Sequence, residues 1–204
     1  MHIATKTSVL LISAIGLAGC DEASEPFAFD TTYTNFADIS NAFSADVDLN
    51  VDEDGDLQNL ADRSETATLE AESGSAIYNG AIVAQQESSG PVMIGQLQLE
   101  VDFDTTGIDG RAGNFIKSND EVVDGTLFGT GNFNPDFSAD ANGHHFNMDL
   151  EGVLVDDGTG YNTTITLGGN FLDTNGDADD IAGDADIIMD GGPVFDDGAF
   201  SVSR

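Results

Sequence analysis

The chain has 204 residues, with 38 Asp and Glu against five Lys and Arg, a formal net charge of −33 and a single cysteine. That charge repels polyanions and argues against nucleic acid or anionic lipid headgroups as partners. One cysteine rules out a disulfide within the chain, and self-repulsion on this scale is tolerated best where salt screens it.

The chain begins with Met1–Thr7, which carries the lone cation Lys6. An apolar run follows from Ser8 to Leu17, and Ala18-Gly19 then precede Cys20. This is the three-part layout of an export signal. A hydrocarbon core needs ~20 helical residues to cross. The run is half that length and is stopped by Asp21-Glu22. Leu17-Ala18-Gly19-Cys20 resembles the lipobox of bacterial lipoproteins at all four positions, which implies cleavage before Cys20 and a diacylglyceryl thioether on its sulfur. Residues 1–19 are therefore expected to be a signal peptide, and Cys20 the lipidated residue that attaches the protein to a membrane. Acyl chains contribute ~0.8 kcal/mol per buried methylene, so two or three of them anchor firmly. All 38 acidic residues follow Cys20 and only Lys6 of the cations precedes it, which leaves a mature formal charge of −34. The outer membrane is the expected location in preference to the inner, with the face left open. Asp21 after the cysteine resembles the inner-membrane retention signal of enteric bacteria.

Residues 20–73 are rich in Asp, Glu, Ser, Ala and Thr, with runs such as Asp46-Val-Asp-Leu-Asn-Val-Asp-Glu-Asp-Gly-Asp56. An acidic, largely disordered spacer is expected here. Within it, Phe36, Ile39 and Phe43 fall at spacings of three and four, which predicts a short amphipathic helix over 35–45, able to lie against a folded domain.

From Gly74 the pattern changes to alternating apolar and polar residues. In Leu97-Gln-Leu-Glu-Val-Asp-Phe103, the residues Leu97, Leu99, Val101 and Phe103 share one face, and Gln98, Glu100 and Asp102 share the other. Such alternation marks half-buried strands. Eight runs read this way, at roughly 75–85, 92–104, 108–117, 122–133, 144–155, 160–172, 180–189 and 195–203. Turn chemistry between them, as in Asp104-Thr-Thr-Gly107, Asn142-Gly143, Asp156-Asp-Gly-Thr-Gly160 and Asp190-Gly-Gly192, is short enough for consecutive hairpins. The expected fold is all-β: an eight-stranded antiparallel up-and-down, lipocalin-like barrel over 74–204, because closure removes exposed edges and strand glycines permit the coiling it needs. An interior of this size is either packed solid or holds one small ligand. Asp, Glu and Asn at mid-strand on the polar face oppose a membrane-spanning barrel.

Gly74-Ser-Ala-Ile-Tyr-Asn-Gly80, Gly95-Gln-Leu-Gln-Leu-Glu-Val-Asp-Phe103 and Gly107-Ile-Asp-Gly110 resemble the transferrin-binding-protein-B-like barrel domain. Lipoproteins of that family place a lipobox and a spacer ahead of an eight-stranded barrel that opens on a Gly-x-Ala-x-Tyr-x-Gly strand. The resemblance implies a binding module for a solute or protein partner, with links in the family to metal or haem acquisition. The family's late Gly-x-Phe-x-Gly motif survives in part, as Gly169, Phe171, Ala182 and Gly183, with acidic residues inserted between. No handle domain precedes the barrel, so the chain is similar to the short single-barrel kind, and no receptor-contacting residue carries over. The alternative is a structural or envelope-interaction lipoprotein with a solid barrel, stabilised by calcium in one version.

Asp173, Asn175, Asp177 and Asp179 place oxygens at positions 1, 3, 5 and 7 of a loop, with Asp184 at position 12. Calcium favours that spacing, although Ala178 replaces the usual Gly at position 6 and no helices flank the loop. A plain acidic turn explains the same residues, and Asp52-Glu-Asp54-Gly-Asp56 lacks a twelfth ligand. His144 and His145 are expected to be solvated, turn-proximal and on opposite faces. Arg111 and Lys117 are expected to pair with carboxylates. The sequence contains no Gly-x-Ser-x-Gly elbow, activated cysteine or phosphate-cradling loop, so a non-enzymatic role is expected.

Overall fold

The computed structural model describes residues 29, 33–50, 63–87, 89–136, 138, 143–173, 178–196 and 198–204, with side chains from 44 to 50 excepted. Eight strands form one closed barrel in which every strand pairs with its sequence neighbours and the last returns to the first. They are β1 Ser75–Gln85, β2 Val92–Asp102, β3 Gly107–Lys117, β4 Val122–Asn132, β5 Phe146–Asp156, β6 Thr159–Leu172, β7 Asp180–Met189 and β8 Gly198–Ser203. All pairings are antiparallel. The eight expected runs become these strands, β1 and β7 with the expected ends and the others with ends shifted by at most three residues. β2 stops at Asp102 because its carboxylate accepts the backbone N–H groups of Asp104 and Thr105, turning the chain before Phe103.

Closure depends on a close approach of β1 and β8. Gly80 pairs with Val202 across that seam, and a Cβ at Gly80 would collide with the Ser201 carbonyl oxygen. On β6, Gly169 lies beneath the Phe146 ring, in the space a side chain would fill. Both glycines belong to the motifs that carry the family resemblance, and both serve contact distance here.

Inward-facing residues fill the barrel. Tyr78, Phe115, Phe171 and Phe200 are wholly buried among Leu97, Leu99, Leu127, Leu150, Leu154, Ile165 and Leu167, each at most 1 % exposed. A water-sized void would leave accessible area on its lining, so the lumen is packed. Phe171 is the hub. Tyr78, Phe103, Phe133, His145 and Phe146 surround it with ring centroids 5.0–6.3 Å away, four of the five edge-on, an arrangement that adds to simple burial.

The two rims are sealed differently. At the rim where β1 begins, helix α2 (Thr66–Ala71) inserts Leu69 into the core. Ser64 donates its N–H to the Phe171 carbonyl at 2.8 Å. Arg204 lies 5.3 Å from both the Tyr78 and Phe103 ring centroids and donates Nε–H to the Tyr78 hydroxyl, which donates in turn to the Ala178 carbonyl. The packed body thus begins ahead of Gly74, inside the stretch expected to be spacer. α2 has only six residues, too few to show a period in the sequence.

At the opposite rim the core ends on an ion pair. Lys117 Nζ lies 2.6 and 2.7 Å from the two oxygens of Asp156, with both side chains under a tenth exposed, and Glu121 stands 3.5 Å away. β3 and β5 are not neighbours, so the pair bridges across β4.

The expected helix is present, as α1 Phe36–Asn50, and runs five residues further than the periodicity reached. Asn35 caps it, accepting the Asp38 N–H at 2.9 Å, while its amide donates to the Asp38 carboxylate at 2.7 Å. α1 packs on the outer wall of β8, β2 and β1. Its wholly buried Ile39 joins Ala81, Ile94 and Ile116, with Tyr33, Phe36, Phe43 and Val83 around them. Strand stretches under this segment are apolar on both faces, as in Ala81-Ile-Val-Ala84 and Met93-Ile94, whereas uncovered β5 alternates. Among the described residues no helix is long and apolar enough to cross a membrane.

Removing one partner of the buried pair leaves an uncompensated charge, so Lys117→Met should lower unfolding free energy by about 3–5 kcal/mol. Lys117→Met with Asp156→Leu should recover most of that loss. Urea midpoints at constant m-value measure both, and a double variant as unstable as the single one would contradict this account.

Candidate functional site

With the lumen filled and α1 covering one side of the wall, the outer wall from the end of β2 to β6 is open among the described residues. Alternation along each strand aims its polar residues outward, and the register arranges them in two rows. One row runs Gln98, Arg111, Phe128, Glu151 and Thr164 across five strands. The next contains Glu100, Asp109 and Thr130 on β2 to β4 and Asp149 and Thr166 on β5 and β6. Between these side chains the wall is concave, forming a groove of about 1050 Å³. Gly110, Gly129 and Met148 also line it.

The β4–β5 ladder is also irregular at this place. Registered pairs end at Phe128↔Glu151 and resume at the isolated bridge Phe133↔Phe146, with Gly129 and Gly131 in between. A Cβ on Gly129 would collide with the Asp149 carbonyl oxygen, so the glycine lets the two strands cross closely.

The groove's electrostatics are one-sided. Glu100, Asp109, Asp149 and Glu151 line it, and Arg111 is the cation among them. Arg111 donates to the Gln98 side-chain oxygen, and Gln98 donates to Asn79 at 2.5 Å. Thr166 donates its hydroxyl to Asp149 at 2.7 Å. Glu100 and Asp109 oppose each other directly in the β2–β3 register, and like charges at that position are destabilising. Phe128 stands 51 % exposed beside them, an apolar contact without a covering partner strand.

The histidines take opposite sides, as adjacency required. His144 faces outward, its Nε2 3.3 Å from an Asp184 carboxylate oxygen and its Nδ1 3.3 Å from the Asn147 side-chain oxygen. His145 corrects the expectation of a solvated ring, since it is 1 % exposed. Its Nδ1 accepts the Phe171 N–H at 3.2 Å, because the chain enters β5 already tucked against the aromatic hub. Burial pushes the imidazole down to about 4 from an ordinary 6.5, helped by the charge of Arg63 and opposed by bonding to the Ser64 backbone and the Asn170 side chain. Lys117 pairs with carboxylates as expected, inside the barrel.

Of the residues spaced for calcium, Asn175 and Asp177 lie outside the described residues, as do Cys20 and the run from Asp52 to Asp56. Asp173 follows β6, Asp179 lies 3.8 Å from Arg204 Nη1 at the rim, and Asp184 sits within β7 on the outer wall, against His144. The chain is already paired in β7 from Asp180 onward, so position 12 falls in a strand. Among the described residues no three His, Cys, Asp or Glu side chains converge to hold a metal ion.

Alternation in the sequence put Glu100 on a polar strand face but could not show that it meets Asp109, Asp149 and Glu151, since register and the β4–β5 irregularity are set by pairing. No protein-family model matches the chain, and no curated protein matches it in sequence.

The unfolded chain protonates His145 near pH 6.5, and the folded barrel does so only near 4. Its stabilising contribution is therefore complete above 6.5 and is lost as pH falls from there to 4, by about 3 kcal/mol. Denaturant titrations across that window should show the slope, and His145→Gln, which keeps an acceptor for Phe171, should flatten it. An equal slope in the variant would place the acid sensitivity elsewhere.

Proposed function

We propose that this chain is an envelope lipoprotein of the transferrin-binding-protein-B-like, short single-barrel kind. It is anchored through Cys20 and binds a protein partner with the outer wall of its barrel. The observation that carries the binding surface is the in-register opposition of Glu100 and Asp109 within a groove that also presents Asp149, Glu151 and an exposed Phe128. A cation placed between the two carboxylates relieves their repulsion, and a neighbouring apolar group covers Phe128. The complementary ligand is an extended, positively charged polypeptide segment with an apolar residue beside its cations. The packed interior favours a protein partner over a small solute held in the lumen. The lipobox resemblance at residues 17–20, followed at once by acidic residues, supports the anchor.

Glu100→Gln with Asp109→Asn should weaken binding of a probe decapeptide of alternating Lys and Val by about tenfold and reduce its salt dependence, because fewer charges are paired on binding. The same variant should gain a few tenths to about 1 kcal/mol of folding stability through lost repulsion. Titration calorimetry and urea unfolding read the two effects. Equal affinities for wild type and variant would overturn the groove as the binding surface. For the anchor, Cys20→Ser should abolish incorporation of labelled palmitate and move the protein out of the membrane fraction. Retained label would remove Cys20 from that role.

A further inference from the structure

The groove runs across the strands. It extends from Glu100 on β2 to Thr166 on β6, four interstrand steps or about 19 Å. Along the strands it covers residues 109–111 of β3, 128–130 of β4 and 147–151 of β5, about 7 to 13 Å. A polypeptide seated lengthwise therefore crosses the sheet. Because the barrel is closed, such a ligand meets outward side chains and finds no free strand edge to pair with.

Interstrand spacing then fixes where each outward group stands along the groove. Glu100 and Asp109 face each other on β2 and β3, so a cation shared between them sits about 2.4 Å past β2. Ile77 pairs with Glu100 from β1 and is 49 % exposed, which puts an apolar group about 4.8 Å before β2. Phe128 on β4 stands about 9.6 Å past β2, and Asp149 and Glu151 on β5 about 14.4 Å past it. The stations thus alternate apolar, anionic, apolar, anionic. Measured from Ile77 they fall at about 7, 14 and 19 Å. Glu100, Asp109 and Asp149 belong to one row, and Phe128 and Glu151 to the row beside it, so a ligand lying between the rows touches both.

The spacing selects the ligand's conformation. An extended chain repeats side chains on one face every 6.7 Å or so, reaching about 7, 13 and 20 Å, each within about 1 Å of a station. Residues i, i+4, i+7 and i+11 of an α-helix reach about 6, 10.5 and 16.5 Å and miss by up to about 4 Å. Charge sets the number of cations. Four carboxylates against Arg111 leave 4 − 1, or three, unbalanced negative charges in the groove, enough for two.

We infer that the groove reads an extended segment of the order apolar-x-cation-x-apolar-x-cation. Its same-face side chains meet Ile77, the Glu100–Asp109 pair, Phe128 and the Asp149–Glu151 pair in turn. The inference rests on the groove being the binding surface proposed above, and adds the order and conformation of what it binds.

The test titrates three end-blocked peptides of identical composition into the full chain by calorimetry. Val-Ser-Lys-Ser-Val-Ser-Lys presents the inferred order. Val-Ser-Val-Ser-Lys-Ser-Lys keeps one face but sets like beside like, and Val-Lys-Ser-Ser-Val-Lys-Ser turns the cations to the opposite face. The first should bind about tenfold tighter than either isomer. Phe128→Ser should cost it about fivefold, and should cost nothing once the peptide's central Val is replaced by Ser, a coupling that ties that side chain to β4. Ile77→Ser should couple to the first Val in the same way. Both side chains are half exposed, so neither variant disturbs the core. Equal affinities for the three isomers, all weakened by Glu100→Gln with Asp109→Asn, would overturn the order and leave the groove standing. Equal affinities unmoved by that variant, or binding by none of the three, would overturn the groove and the order with it.

Discussion

Closure of the sheet between β1 and β8 is the constraint on which the remaining structure depends. A closed wall of eight strands has a fixed, narrow interior, and this chain fills it with aromatic and branched side chains around Phe171. Once the interior is filled, polar chemistry has only the rims and the outer surface. Both rims are then spent on sealing: α2, Arg204 and the buried His145 at one, the Lys117–Asp156 pair at the other. The binding function proposed above is therefore assigned to the outer wall, part of which α1 covers. The groove on β3 to β6 is what remains after these successive exclusions.

The scarcity of positive charge makes the position of each cation informative. After Cys20 there are four, and they sit at distinct structural points. Lys117 is inside the barrel against Asp156, Arg204 covers the aromatic rim, Arg63 lies beside β6 where the chain joins the body, and Arg111 lies in the groove. Three of the four thus hold seams together. The open wall outside Arg111 keeps its negative potential, which low salt extends and high salt confines. The groove therefore responds to ionic strength, since it sets an apolar side chain beside unbalanced carboxylates.

Much of this fold was legible in the sequence, for a physical reason. Strand alternation is a local property, and β5 and β6 display it residue by residue, so the eight strands and their hairpins could be read directly. The helix face of Phe36, Ile39 and Phe43 was legible in the same way. Its docking partner was also written in the chain, as strand stretches apolar on both faces at Ala81–Ala84 and at Met93-Ile94, although only the structure joins the two. Non-local matters stayed hidden. α2 is shorter than two helical turns, so Leu69 gave no period. His145 resembled any residue near a turn, because its burial comes from Phe171, 26 residues onward. Glu100 was visible as an outward residue, but it and Asp109 become opposed only through the β2–β3 register. Asp184 illustrates the limit of spacing arguments. It counts as position 12 of a loop in sequence, whereas strand pairing commits it to the outer wall of β7.

A barrel covered on one side and open on the other sets strong acidity beside apolar contact. Uniform acidity over the whole surface would disfavour approach to any acidic neighbour, including another copy of itself. The N-terminal segment concentrates apolar contact on β8, β1 and β2, where it is satisfied within the molecule. On the open wall Phe128 stands half exposed among carboxylates, with Val122 and Val153 also exposed on β4 and β5. Burying it is favourable only for a partner that also brings positive charge, because an uncharged surface would desolvate Glu100, Asp109 and Glu151 without replacing their water. On the binding function proposed above, the groove would discriminate by that desolvation cost, and a neutral hydrophobic surface of the same shape would be rejected by the carboxylates that attract a cationic one.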